Sequence, residues 1–356
     1  MGGVLEIRAG SAVYEKIRDG GLRFDDVSGV VGPAVGPRWF LASGFDLALI
    51  RAGVLGAESP VTLSGASAGA LRFAAWVQPE PEKAYRRLME SYSSMHFSRR
   101  DSRESIQQAL SRVIDSYIED DAVPFALNRK QYRLAVSVAR ARHIAAVENS
   151  FFQFAGLVAA GLFNMAAPSS LPLFFQRVVF YSGYLPPPFC RKRGFKGLTI
   201  PLNDANFKRV LLASSCVPFY VAGVKNIFGA PRGVYRDGGL VDYHGNQHHG
   251  KGAGDVVLQF HHQQRLAPTW FDGRLKRREL PREWTANLLV VSPSREFIES
   301  LPDGKIPNRD DFKLFADNPD ERMKRWKRVM EASGPLGDEF VNLVNGGGIR
   351  NEVKPL

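Results

Sequence analysis

Cysteine is almost missing from this 356-residue sequence: Cys190 and Cys216 are all it has, which excludes a disulfide framework and points to a reducing compartment. No apolar run is long enough to cross a bilayer uninterrupted; the best candidate, 151–163, is soon followed by Pro168 and Pro172. A secretory signal is not expected, because Glu6, Arg8, Glu15 and Lys16 break up the N-terminal stretch, and Glu6 stands where a myristoylation signal needs Ser or Thr. Repeats, low-complexity linkers and nucleic-acid-binding motifs are absent too. So are H-E-x-x-H and any cysteine set for zinc, so neither a metal nor a cofactor is expected.

Negative charge is in deficit, 36 acidic residues against 47 basic ones, for a net charge of +11. Basic clusters fall at Arg191-Lys192-Arg193, at Arg274 with Lys276-Arg277-Arg278, and at Arg322 with Lys324-Arg325 and Lys327-Arg328. Most such clusters are solvated faces; where one has a partner, an anionic lipid surface fits better than nucleic acid. The expected location is cytoplasmic, with peripheral contact at the inner face of the membrane. Oligomeric state is not legible.

Segment patterns predict an α/β chain. Leu5 to Leu22 reads as a strand and a helix ended by Gly20-Gly21, Val27 to Val31 as the first core strand, and Val61 to Leu63 as the second. Helices are predicted over 39–51, 81–96, 103–119 and 206–214, strands over 131–139, 178–181, 255–260 and 287–291, and a final amphipathic helix over 320–332. Residues 151–175 contain no charged side chain, between Glu148 and Arg177. A buried helix would explain that; so would a cap or interfacial segment, about 144–190, inserted over the active site. The expected organisation is one domain, 1–345, with a flexible tail, 346–356.

One motif carries chemistry. Gly65-Ala66-Ser67-Ala68-Gly69 lies between a short apolar strand and a helix, the G-x-S-x-G pattern of a nucleophile elbow. Small flanking residues let strand and helix approach closely, and the helix N-terminus favours negative charge beside the Ser67 hydroxyl. Far downstream come Ala213-Ser214-Ser215-Cys216-Val217-Pro218-Phe219 and then Asp237-Gly238-Gly239. Alone, Asp-Gly-Gly would be a plain turn.

With this elbow and this Ala-Ser-x-x-x-Pro approach, the chain resembles the patatin-like phospholipases, and over most of its length a divergent bacterial branch of them. The resemblance implies a three-layer α/β/α hydrolase fold. It also implies a lipid acyl hydrolase using a Ser67/Asp237 dyad without histidine, and a lipid or ester substrate. The family's glycine-rich oxyanion loop falls at Ala34-Val35-Gly36-Pro37-Arg38-Trp39, where Gly36 and Arg38 remain but three glycines are replaced. Pro37 has no N–H to give. The oxyanion donors are thus expected among Val35, Gly36 and Arg38, together with Ala68.

Two other readings stay open. His261 or His262 could complete a Ser-Asp-His triad in the chain order of an α/β-hydrolase, although only about two strands precede Ser67. Alternatively, the altered loop belongs to a lipid-binding protein without turnover. His244 and His262 are also candidates to stand behind the catalytic groups rather than among them.

Overall fold

Short strands made almost wholly of apolar residues form the heart of the molecule, as expected where a parallel sheet is covered on both faces. The computed structural model describes residues 3–356 except Arg99, Arg193, Gly194, Lys251 and Ala253, so Met1–Gly2 and the Arg193 of one basic run lie outside the described residues. Among the described residues the strands are β1 (Leu5–Ala9), β2 (Val27–Gly32), β3 (Val61–Ala66), β4 (Tyr132–Ala141), β5 (Phe175–Tyr181), β6 (Leu198–Pro201), β7 (Val224–Lys225), β8 (Val234–Arg236), β9 (Val256–Phe260), β10 (Leu288–Pro293) and β11 (Val353–Pro355). They make one sheet in the order β11-β1-β10-β9-β2-β3-β4-β5-β6, with β7 and β8 off this path. The five strands from β10 to β4 run parallel. β1 opposes β10 at one side and β5 opposes β4 at the other. The fold is thus mixed α/β with a large, mostly parallel central sheet.

Alternation along the strands divides the core. Val30, Leu63, Leu258 and Leu289 join one large apolar cluster with Phe45, Leu71, Leu88, Leu110, Leu211, Trp326 and Phe340 from the helices. Their neighbours Val31, Val257, Leu288 and Val290 pack with Leu266 and Leu280, from the chain that follows β9. One face of the sheet therefore faces helices; the other is covered by the irregular chain after β9 over β2, β9 and β10, and by the helix Ser150–Ala166 over the end of β4 and the start of β5.

Two expectations need correction. The tail 346–356 is not flexible: a turn of helix, Ile349–Glu352, leads into β11, which pairs with β1. Burial of Ile349 and Val353 anchors it. Nor is the helix Pro319–Ala332 the last, since Gly334–Asn345 follows and stacks Phe340 on Phe45, with ring centroids 5.0 Å apart.

The charge-free segment forms a helix, Ser150–Ala166, and a 3-10 turn, Pro168–Leu173. Gln153, Gly156, Leu157, Ala160 and Asn164 are turned inward, while most of its large apolar side chains are exposed. It is therefore not a buried core helix. Among the described residues no helix is long and apolar enough to cross a membrane.

Candidate active site

Ser67 follows directly on β3 and opens the helix Ala68–Trp76, and the turn between them is tight enough to strain its backbone, with φ 52° and ψ −122°. Such a turn demands bare backbone where strand and helix cross. A Cβ on Gly69 would lie 2.0 Å from the Gly32 carbonyl oxygen, and one on Gly65 would lie 2.6 Å from the Gly69 carbonyl carbon. The strained peptide is braced from behind: the Ser67 N–H donates to Ser214 Oγ at 2.8 Å, and that hydroxyl donates to the Ser137 carbonyl, also at 2.8 Å.

Asp237 reaches the serine because of how β8 is laid down. β8 pairs antiparallel with Ala139–Ala141 of β4, just beyond the stretch of β4 that β3 occupies, so β3 and β8 point at each other end to end. The residues leaving the two strands, Ser67 and Asp237, therefore meet. The Ser67 hydroxyl donates to Asp237 Oδ2 at 2.7 Å, and Oδ1 accepts the Gly239 N–H at 2.8 Å. A Cβ on Gly238 would stand 2.0 Å from the Ser137 carbonyl oxygen, so only glycine lets the aspartate loop pass this close. The Asp237 N–H donates to the Cys216 carbonyl at 3.0 Å, so the segment 214–216 holds both members of the pair.

Burial pushes the Asp237 carboxyl above its ordinary range. The positive charge of Arg309 works against that rise, as do the Ser67 hydroxyl and the Gly239 amide. The result is a desolvated carboxylate, a stronger base than one in water, touching the hydroxyl it would deprotonate.

A cavity of about 520 Å³ opens on Ser67. Leu71, Met95, Phe97, Ile106, Leu110 and Phe312 give it apolar walls, while Gly36, Ala68 and Arg309 line it near the serine. None of the residues 144–190 lines it, so the charge-free segment is no cap over Ser67. Asn164 instead ties that helix to Asp272, at 2.8 Å.

In the loop before the helices, Val35 is not a free donor, because its N–H already bonds to the Pro33 carbonyl at 3.0 Å. Gly36 takes up φ +57°. Among the described residues the amides of Gly36 and Ala68 have no backbone acceptor, and both residues line the cavity. Arg38 does not line it; its charge acts on His244, His261 and His262 instead. The guanidinium near Ser67 belongs to Arg309, whose Nε would lie 3.1 Å from a Cβ on Gly36.

The histidines form a separate group. His244 stacks on Tyr243 with centroids 4.1 Å apart and accepts the Ala267 N–H on Nδ1 at 3.0 Å. His261 lies 4.3 Å from its ring and 4.5 Å from that of His262. Burial lowers all three below the usual histidine range, His261 to about 4, so they are neutral near pH 7. Among the described residues none bonds to Ser67 or Asp237, and the carboxylate meets the hydroxyl directly, with no imidazole between. The Tyr243 carbonyl accepts the Ala34 N–H at 2.8 Å, so His244 stands behind the residue that holds the start of the loop 34–39.

Gly32, Ser137 and Arg309 carry parts of this site that the sequence reading missed, and Ser214 was seen only as part of a motif. Gly32 ends the first core strand, where a small residue is a fair signal of close approach. Arg309 has no local signature at all. In comparisons with known proteins, no family model matches the chain, and no curated protein matches it at a significant level.

Proposed function

We propose that the chain is a serine acyl hydrolase acting on lipid or related carboxylic esters through a Ser67–Asp237 dyad, with the three-layer hydrolase organisation of the patatin-like enzymes. The observation that carries this reading is the direct 2.7 Å bond from the hydroxyl of a strained elbow serine to a buried carboxylate, at the end of an apolar cavity.

In the proposed cycle Asp237 takes the Ser67 proton as Oγ attacks the ester carbonyl carbon. Negative charge grows on the carbonyl oxygen, facing the Gly36 and Ala68 amides and the Arg309 guanidinium. Each well-aimed donor typically contributes about 3–4 kcal/mol to such a transition state. Collapse expels the alcohol, which leaves with the proton from Asp237, and the acyl group stays on Ser67. Water then attacks, giving Asp237 a proton; collapse returns that proton to Oγ and releases the acid. The apolar walls suit an acyl chain.

The test is fatty-acid release from a panel of phospholipids and short p-nitrophenyl esters by wild type, Ser67→Ala, Asp237→Asn and His262→Ala. Loss in the first two variants and retention in the third is expected. Loss in the histidine variant would restore the triad. If nothing is hydrolysed and a fluorophosphonate fails to label Ser67 in folded protein, the cavity binds lipid without turning it over.

A further inference from the structure

The helix Ser150–Ala166 is built inside out. Its two amide side chains, Gln153 and Asn164, are buried against the protein: Gln153 Oε1 accepts the Phe219 N–H at 3.1 Å, and Asn164 Nδ2 donates to Asp272 Oδ1 at 2.8 Å. The opposite side carries Phe151, Phe154, Val158, Leu162 and Met165 at helical spacing, flanked by Phe152 and Phe163. All are exposed, Phe151 at 73%, Val158 at 42% and Leu162 at 56%. With on the order of 100 Å² bare per side chain, this face reaches roughly 700 Å², larger than the apolar patches that soluble surfaces normally leave open.

The surroundings of the helix say what covers it. Arg278 donates to the Met165 carbonyl at 3.0 Å, and Arg142 to the Pro172 carbonyl just beyond. The loop that runs up to Arg278 follows Trp270–Asp272, which packs on the helix, and exposes Arg274, Lys276 and Arg277 against one acid, Glu279. Glu148, at the other end, is held by Arg236 at 2.5 Å. The exposed face is thus apolar at its centre and positive at its edge, complementary to a surface of acyl chains under anionic headgroups and unsuited to a second positive copy of itself. It also leads to the cavity. Phe154 lies 6.0 Å from the Phe219 ring, and the next residue, Tyr220, is partly exposed and lines the wall around Ser67.

We infer that this helix is the docking element for an anionic lipid surface, lying in the interface with its phenylalanine face down and bringing the mouth of the Ser67 cavity to the membrane. The inference rests on the acyl-hydrolase reading only for the purpose of docking; binding can be measured without turnover.

The experiment is co-sedimentation of Ser67→Ala protein with vesicles of phosphatidylcholine alone, or of three parts phosphatidylcholine to one of phosphatidylglycerol. It is repeated with Phe151→Gln, Val158→Gln and Leu162→Gln combined, and with Arg274→Ser, Lys276→Ser and Arg277→Ser combined. The substituted side chains are exposed and lie outside the cavity, so folding should not change, and neither should hydrolysis of a soluble short ester when the same substitutions are made with Ser67 intact. Expected are preferential binding to the anionic vesicles, a roughly tenfold or greater loss of affinity in the glutamine variant, and weaker, less salt-sensitive binding in the serine variant. Failure of the Ser67→Ala protein to bind either vesicle, or undiminished binding by the glutamine variant, overturns the inference. So does a dimer in size-exclusion chromatography that only the glutamine variant abolishes, since a second copy would then be the occupant. Vesicle binding, with no ester hydrolysis by the protein that keeps Ser67, would leave docking standing and remove the proposed activity instead.

Discussion

Asp46→Ala should cost more stability than any surface change, and the reason lies one turn behind the nucleophile. Arg72, in the helix that Ser67 begins, donates from Nε and Nη2 to the two Asp46 oxygens, each at 2.7 Å, and Tyr85 OH donates to Oδ2 at 2.5 Å. Both charged side chains are only 2% exposed. Removing Asp46 leaves a guanidinium in the core without its counter-ion, a defect worth about 3–5 kcal/mol. An unfolding entropy of about 2.1 cal/mol/K per residue amounts to roughly 0.75 kcal/mol/K for a chain of this length, so Tm should fall by about 5 °C.

Asp46 belongs to the helix Ser43–Ala52 that follows Gly36, so the pair also clamps the two segments carrying the Gly36 and Ala68 amides. Turnover in the protein that stays folded should drop by about tenfold or more as those donors lose alignment. Calorimetry and ester hydrolysis read both effects. A combined Asp46→Leu, Arg72→Met and Tyr85→Phe variant removes every polar partner at once and should regain more than half of the lost stability. If Asp46→Ala melts within about 1 °C of wild type, or if the triple variant is no better than the single one, the uncompensated charge is not what matters and the reasoning fails.

Other outcomes follow from the same geometry. Arg309→Gln should lower kcat on a neutral short ester about tenfold or more with little change in KM, and should move the acidic limb of the rate profile to higher pH, because Arg309 holds the Asp237 carboxyl down against burial; an unmoved limb would mean the guanidinium does not act there. Asp237→Asn should abolish hydrolysis yet melt at a higher temperature near neutral pH. A carboxyl whose folded pKa is raised destabilises the fold once pH climbs past its ordinary range, so the gap between variant and wild type should close in acid. Gly69→Ala should cost at least about 3 kcal/mol, read by denaturant titration, because its Cβ would sit 2.0 Å from the Gly32 carbonyl; Gly20→Ala, with open space around it, should be nearly neutral and serves as the control.

The parts of the molecule legible in the sequence were those with a local cause. β2, β3, β9 and β10 are apolar because both faces are covered, and each could be read to within a few residues. Ser67 was marked by the close backbone approach that makes its flanks glycine, and Asp237 by the same need at Gly238. β6, β8 and β11 were not legible: they are three or four residues long, and β8 and β11 exist through partners distant in the chain, β8 on Ala139–Ala141 and β11 on β1. The loop 34–39 was legible in position but not in the direction of its amides, because whether Val35 points its N–H at Pro33 or into the cavity is a matter of one dihedral angle. Arg309 left no trace, since a single arginine in a polar loop gains its meaning only from lying over Gly36.

The charge-free helix shows most clearly where pattern reasoning stops. Its lack of charge was plain, and an amphipathic rule would turn Gln153 and Asn164 to water with the phenylalanines inward. The reverse holds because the amides have partners waiting, the Phe219 N–H 66 residues on and Asp272 108 residues on. A buried amide without any partner is costly, so the bond each one makes, at Gln153 Oε1 and at Asn164 Nδ2, can set the rotation of a helix whose other side chains are nearly all apolar, even though Gln153 Nε2 and Asn164 Oδ1 stay buried without a partner among the described residues. Once that rotation is set, the phenylalanines have nowhere to go but outward. Their exposure is therefore a consequence of tertiary hydrogen bonding rather than of poor packing, and a lipid surface would lower the free energy of the fold at the place where water raises it.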